Sequence, residues 1–464
     1  MHPFDKALAH AKAFRASLPE RPPRPTIAPA DMLARFDGPT PELGEDGASV
    51  IEALAQAAEP GLTAMAGPRF FGWVIGASHE TGVAADMLAS AWGQNAGMYA
   101  GTPAAAVAEY TASRWLLDIL KLPSECSVGF VTGATMANFV GLAAARNEVL
   151  RRVGWDVEAK GLCGAPRVRI LLGADAHTTV YAALRFLGFG AETAETIPTD
   201  SQGRMKPAAL ANALAQSDGP AIVIAQAGQI NTGAFDPVGE IADACRAHGA
   251  WLHVDGAFGL WARAVPELAP MAAGVEAADS WATDGHKWLQ LPYDSGIAIV
   301  RDAEAHRRAM TIAASYLPKA EAEHDPSLYT PELSRRARGF AAWAVIKAFG
   351  RAGIADMVRR HCAFARRVAA RISEEPGVKV LNEVCLNQVI LAFGEGGVEA
   401  DNASTRAVIE RRQRENIVFA VGAGWRERWV MRLSIISAPL TEADIDRLAD
   451  AIIAAWRAVR AKET

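Results

Sequence analysis

Two short stretches carry the strongest chemical signal: His253-Val254-Asp255-Gly256-Ala257 and, further along, Ser280-Trp281-Ala282-Thr283-Asp284-Gly285-His286-Lys287. Asp255 ends an apolar run, where a free carboxylate is costly to desolvate unless a cation faces it. Lys287 follows an acid and a histidine and precedes Trp288 and Leu289, which places it between polar and apolar surroundings. Once deprotonated, a lysine there is a nucleophile toward aldehydes. An acid that pairs with a ring nitrogen, plus a lysine that forms an imine, is the minimum equipment for pyridoxal phosphate chemistry. Taken singly, each residue has a plainer reading, as a strand-end cap or a surface lysine.

Two further elements join them. Gly129-Phe130-Val131-Thr132-Gly133-Ala134-Thr135 runs from a short strand through a tight turn into a helix. Small residues at 133–135 let helix amides approach a phosphate, and the Thr135 hydroxyl adds a donor. Alone, the turn reads equally as helix capping by Thr132 or Thr135. Asp175-Ala176-His177-Thr178-Thr179 follows an apolar run, so His177 can lie over a planar cofactor, or simply begin a helix. The ten histidines include no H-E-x-x-H and no Cys/His cluster, so no metal is expected. Neither G-x-S-x-G nor G-x-G-x-x-G is present, which disfavours a serine hydrolase and a dinucleotide dehydrogenase.

These residues need a frame. Apolar runs at 128–131, 168–172, 221–225, 251–254 and 296–300 read as buried strands, with amphipathic helices at 136–149, 178–187, 206–216 and 237–248. Continuous rather than alternating apolar strands, interleaved with helices, predict an α/β fold with a mainly parallel sheet covered on both faces. Ligand sites of such sheets lie beyond the carboxyl ends of the strands. The expected organisation is an N-terminal helical and extended arm over 1–60, a large domain over 61–310, a patternless loop over 311–339 and a smaller α/β domain over 340–464, with strands at 378–381, 388–393, 417–421 and 429–436. Seven prolines between 19 and 41 argue against helix there and suggest an arm crossing a partner subunit.

Composition narrows the class. Of 464 residues half are hydrophobic, 21% are charged and the net charge is −5, which excludes a disordered chain and makes nucleic acid an unlikely partner. No apolar run approaches the length of a membrane span. The five cysteines are scattered, and residues 1–20 lack the apolar stretch of a signal peptide. A soluble, cytoplasmic protein without membrane or nucleic-acid partners is expected.

The order phosphate turn, stacking histidine, strand-end aspartate and His-Lys, with the wording H-V-D and D-G-H-K-W, resembles the group II pyridoxal-phosphate decarboxylases, among them the aromatic amino acid and glutamate decarboxylases. Pro68-Arg69-Phe70-Phe71 and Ala234-Phe235-Asp236-Pro237 extend the resemblance, which runs from about Pro68 to the C-terminus. It implies the aspartate-aminotransferase type of fold (fold type I) with a seven-stranded sheet, and a homodimer with active sites at the subunit interface. It further implies decarboxylation of an L-amino acid to its amine with pyridoxal 5'-phosphate. Lys287 would hold the cofactor, Asp255 its ring nitrogen, His177 one ring face and Ala257 the other. Thr132, Gly133, Ala134 and Thr135 would cradle the phosphate, His286 would lie near the phosphate or the substrate carboxylate, and Asn231 or Thr232 would meet the ring oxygen. A loop tyrosine would return the proton to the α-carbon. Tyr329 is the expected donor, with Tyr316 and His324 nearby. Arg69, Phe70, Phe71, Trp73, Asn95 and Tyr99 would line the substrate pocket.

The chain also departs from the family pattern. Asp284 and Gly285 stand where aromatic-specific members carry asparagine and proline, and an aspartate beside a phosphate is repulsive unless a cation or water intervenes. Asp-x-His-Lys also occurs in sphingosine-phosphate lyase. A phosphoaldehyde lyase, with Arg69, Arg335 and Arg338 for a substrate phosphate, and an aminotransferase, with Arg432 for a carboxylate, are therefore the alternatives.

Overall fold

A computed structural model describes residues 2–312 and 325–463, and the chain divides into two compact units. The larger comprises Gly76–Arg366 and Asn382–Val389. It is built on β1 (Ser127–Val131), β2 (Arg169–Gly173), β3 (Ala194–Ile197), β4 (Ala221–Gln226), β5 (Trp251–Asp255), β6 (Ser280–Asp284) and β7 (Gly296–Val300). They form one seven-stranded sheet in the order β1-β7-β6-β5-β4-β2-β3. β7 is antiparallel to both neighbours and every other pair is parallel. The carboxyl ends of β1, β2, β4, β5 and β6 therefore share one edge.

All strands except edge strand β3 are buried throughout, the signature of a sheet covered on both faces. β3 and β6 were not expected as strands. β6 reads Ser-Trp-Ala-Thr-Asp, too polar for a buried run, and becomes a strand because its polar groups find partners inside. Ser280 Oγ accepts from Trp251 Nε1 at 2.9 Å and lies 2.8 Å from His253 Nδ1, while His253 Nε2 lies 2.8 Å from Asn138 Oδ1. His253 thus ties β5 to β6 and to the Ala134–Arg152 helix, which buries Ala137, Val140 and Ala144 in the same core as Ile222, Ile224 and Ala282. A Cβ at Gly141 would come within 2.7 Å of the His253 ring, so the glycine admits it.

Burial holds the imidazoles of His253 and His306 down to about 3, against about 6.5 in an unfolded chain. Their folded pKa values are depressed, so the unfolded state takes up protons that the native state refuses. Stability is complete above about pH 6.5 and falls as the pH drops, by at most about 2.7 kcal/mol per pH unit for the two together. Urea unfolding between about pH 7.5 and 5 should show this slope, and His253→Gln should remove roughly half of it.

The second unit comprises Met1–Ile75, Arg367–Leu381 and Ile390–Thr464. Its sheet is formed by β8 (Val378–Val380), β9 (Gln388–Phe393), β10 (Val421–Trp425) and β11 (Arg428–Ser434) in the order β10-β11-β9-β8. The strand expected at 417–421 begins at Val421 instead. The N-terminal residues, expected to form an arm of their own, group with the C-terminal part, a non-local association that no local pattern announces. The proline-rich stretch still holds a short helix, Pro29–Ala34, because Pro29 opens it where no amide partner is needed. The long helix Arg338–Ser373 breaks at Gly350, which takes φ 61°. Among the described residues no helix is long and apolar enough to cross a membrane.

Candidate active site

The chemistry-bearing residues of the larger unit collect at the shared carboxyl edge. After β1, Gly133 caps the Ala134–Arg152 helix, and a Cβ there would lie 3.3 Å from His286 Cε1 and 3.5 Å from Asp284 Oδ1. Gly296 opposite has no room for a side chain either, since a Cβ would run into the Gly133 backbone. Thr132, Gly133 and Thr135 are half-buried around this turn.

At the end of β6, Asp284 is buried and both its oxygens are engaged. Oδ1 accepts the Ala134 amide at 2.6 Å and lies 3.4 Å from His286 Nε2, while Oδ2 pairs with Lys287 Nζ at 2.9 Å. His286 stacks on Tyr293, ring centroids 4.3 Å apart, and its Nδ1 accepts from the Ser295 amide. Burial holds its imidazole below the usual range, with Lys287 adding to the effect and Asp284 opposing it.

β5 is fastened to β6 at this end: the Gly256 amide donates to Ala282 O at 2.9 Å and the Asp284 amide to Ala257 O at 3.0 Å. Asp255 accepts the Ala257 amide at 3.2 Å. Burial pushes its carboxyl up, and His177 and Lys287 pull it back down, so both side chains lie within electrostatic reach. Ala257 remains half-exposed. His177 caps the Thr178–Phe186 helix, its Nδ1 accepting from the Thr179 amide and lying 2.8 Å from Thr179 Oγ1. The cap fixes the ring's orientation.

In the loop after β4, Thr232 is fully buried and its hydroxyl donates to Gln202 O, in the turn after β3, at 2.7 Å, so its one hydroxyl proton is already engaged. Gln229, which sequence reasoning passed over, takes the amides of Asn231 and Thr232 on its Oε1 and donates to Asp175 O from its Nε2, joining this loop to the turn that bears His177.

Tyr329 does not join the group within its own chain. Its backbone packs beside Gly129, its ring faces His306, and its hydroxyl accepts from Arg307 Nε at 3.0 Å. Arg307 lies on the Ala303–Met310 helix that follows β7, and β7 ends opposite Ser127, at the end of β1 remote from the phosphate turn. Within its own chain the expected donor therefore bonds Arg307. Tyr316 and His324 lie outside the described residues. Tyr329→Phe should keep amine and carbon dioxide in equal yield, measured by paired product assays.

The basic residues required by the alternatives are engaged elsewhere. Arg335 is buried against Glu109 at 2.9 Å and also donates to Ala96 O and Phe130 O. Arg338 pairs with Asp294, and Arg69 donates to Arg21 O. Asn95 accepts the Arg335 amide and the Tyr99 amide donates to Asp325, which sets both beside the 325–336 segment. Phe70 stacks on Phe419 at 4.7 Å with Trp73 alongside, and Phe71 is fully buried. Phe70 packs with Phe419 and Val421 in a core cluster of the second unit while Trp73 stays exposed, and Arg432 lies on strand β11 of that unit.

A family model described as the pyridoxal-dependent decarboxylase conserved domain matches residues 29–393. The chain belongs to that family. It is 28% identical over 401 residues to an aromatic-L-amino-acid decarboxylase of Bacillus atrophaeus, covering 85% of this chain and 80% of the relative. Tryptophan decarboxylase 1 of Oryza sativa subsp. japonica is 27% identical over 93% of this chain and 88% of its own. An acidic amino acid decarboxylase of Bos taurus is 29% identical over 68% of this chain and 61% of its own. A crystal structure of Oryza sativa TDC with PLP and tryptamine superposes with a TM-score of 0.91 over 98% of this chain and 97% of that one, at 24% identity, which shows the shared fold type I.

This decarboxylase is a pyridoxal-phosphate-dependent carboxy-lyase acting on an amino acid. Its carboxyl edge fits that cofactor on its own evidence: a glycine-lined helix N-terminus suits a phosphate, an amine lies beside it, and a buried carboxyl whose charge burial disfavours suits a protonated ring nitrogen.

Proposed function

We propose that this decarboxylase converts an aromatic L-amino acid to its amine, with Lys287 as covalent carrier of the cofactor. The observation that carries the reading is the convergence of Lys287, Asp255, His177 and the Gly133 turn on one sheet edge. When bound, the cofactor supplies an electron sink for the bond that loses carbon dioxide. Asp255, when ionised, would hold a proton on the ring nitrogen. His177 and Ala257 would flank the ring, Asn231 would face its oxygen, and residues 132–135 with His286 would receive the phosphate. With the Tyr329 hydroxyl bonded to Arg307 in its own chain, we read His177 as the residue that would return a proton to the α-carbon.

Arg69, Arg335 and Arg338, which would suit an acidic side chain, are each bonded within their own unit, and relatives named for aromatic substrates match over most of the chain. Both support the aromatic class. We also read the protein as a cytoplasmic homodimer with sites at the subunit interface. Exposed Leu88, Trp92 and Tyr110 in the larger unit and Leu33 and Phe36 in the other support a second copy covering them. Light scattering at twice the chain mass tests the dimer.

Borohydride reduction of the yellow protein followed by peptide mass spectrometry should place the cofactor on the His286-Lys287-Trp288 peptide, and an adduct on another lysine overturns the carrier assignment. An amino-acid panel scored for carbon dioxide and amine tests the substrate class, and turnover confined to aspartate, glutamate or cysteine sulfinate refutes it.

A further inference from the structure

Asp284 occupies the position of an anion at the very turn that should receive one. Its Oδ1 takes the Ala134 amide, the first of the Ala134–Arg152 helix, at 2.6 Å, and its Oδ2 takes Lys287 Nζ at 2.9 Å. A helix N-terminus favours negative charge through a few unsatisfied amides, so an amide held by a carboxylate is withdrawn from any other anion. The Asp284 side chain is 3% exposed, so water screens its charge little. A second observation places the carboxylate over the turn itself: a Cβ on Gly133 would meet both Asp284 Oδ1, at 3.5 Å, and His286 Cε1, at 3.3 Å. A phosphate seated on residues 133–135 therefore meets Asp284 before it meets solvent.

We propose that Asp284 sets the affinity of this decarboxylase for the cofactor's phosphate, holding the cradle amide and opposing a second anion there. Loading then requires Asp284 to release the Ala134 amide while Lys287, its cationic partner, is drawn into the bond to the cofactor. The effect belongs to the phosphate and not to the aldehyde. It rests on Lys287 being the carrier.

The test compares pyridoxal phosphate with pyridoxal, which keeps the aldehyde and ring but lacks the phosphate. Each is equilibrated by dialysis with the enzyme and bound ligand is read from its visible absorbance. Asp284→Asn keeps the shape and an oxygen to accept the Ala134 amide while removing the charge. It also removes the ion pair with Lys287, an effect common to both ligands, so the ratio of the two affinities isolates the phosphate. That ratio should rise at least about tenfold in favour of pyridoxal phosphate, equivalent to about 1.4 kcal/mol. An unchanged ratio overturns the inference, and so does a ratio shifted toward pyridoxal, which would mean Asp284 supports the phosphate through a shared proton. Should Asp284→Asn not fold, Asp284→Ser carries the same comparison. Borohydride mapping of the wild type separates the two levels: no adduct on Lys287 refutes the carrier reading, whereas an adduct with an unchanged ratio refutes only the role of Asp284.

Discussion

Lys287→Ala is expected to lower turnover by at least about a thousandfold, the scale of losing a covalent catalytic group. Its Nζ is held 2.9 Å from Asp284 and lies within electrostatic reach of Asp255. Without it the cofactor is retained only by phosphate and ring contacts and has no amine to exchange with the substrate. Borohydride should then fix no cofactor at residue 287, and added methylamine should restore part of the rate by replacing the missing nitrogen. Retention of more than about a tenth of the wild-type rate would remove Lys287 from the mechanism.

Asp255→Asn should reduce turnover by about a hundred- to a thousandfold, the magnitude associated with losing one preorganised electrostatic partner. The amide keeps the shape of the strand end and its contact with the Ala257 amide, but it cannot hold the ring nitrogen protonated. A stability readout accompanies the rate. Burial raises the Asp255 carboxyl, so the folded state binds a proton more tightly than the unfolded state does. Stability from this group is therefore lost as the pH rises from about 3.9, the unfolded value, through the raised folded value. A cationic ring nitrogen relieves that cost. Cofactor should therefore raise the melting temperature of the wild type at pH 8 more than that of Asp255→Asn, while the cofactor-free variant melts no lower than the cofactor-free wild type. Equal gains would make Asp255 a strand cap and nothing more.

The parts legible in the sequence were those written locally. Buried parallel strands show as continuous apolar runs, and five of the seven strands of the large sheet were placed to within a residue or two. Edge strand β3 and the polar β6 escaped because each is specified by its neighbours: β6 holds Ser280 inside only because Trp251 and His253 arrive from β5. A larger and a smaller unit were expected, but not that the first 75 residues group with the last 75, through contacts that no period or spacing records.

For the site, residue type and position at strand ends drew attention to Lys287, Asp255, His177 and the Gly133 turn, each with a plainer reading of its own, and only their order together with the family resemblance gave them roles. Direction was not legible. Whether Thr232 faces the loop or the ligand, whether Tyr329 reaches the site or bonds Arg307, and whether Arg335 is available or sealed against Glu109 each depend on which distant group lies within about 3 Å, the reach of a hydrogen bond. Asp284 is the clearest case. The sequence by itself determined that a carboxylate precedes His286 and Lys287, and only the tertiary structure decided that it grips the Ala134 amide, because that amide comes from a helix 150 positions earlier in the chain and is brought there by the pairing of β1 with β7 and of β7 with β6.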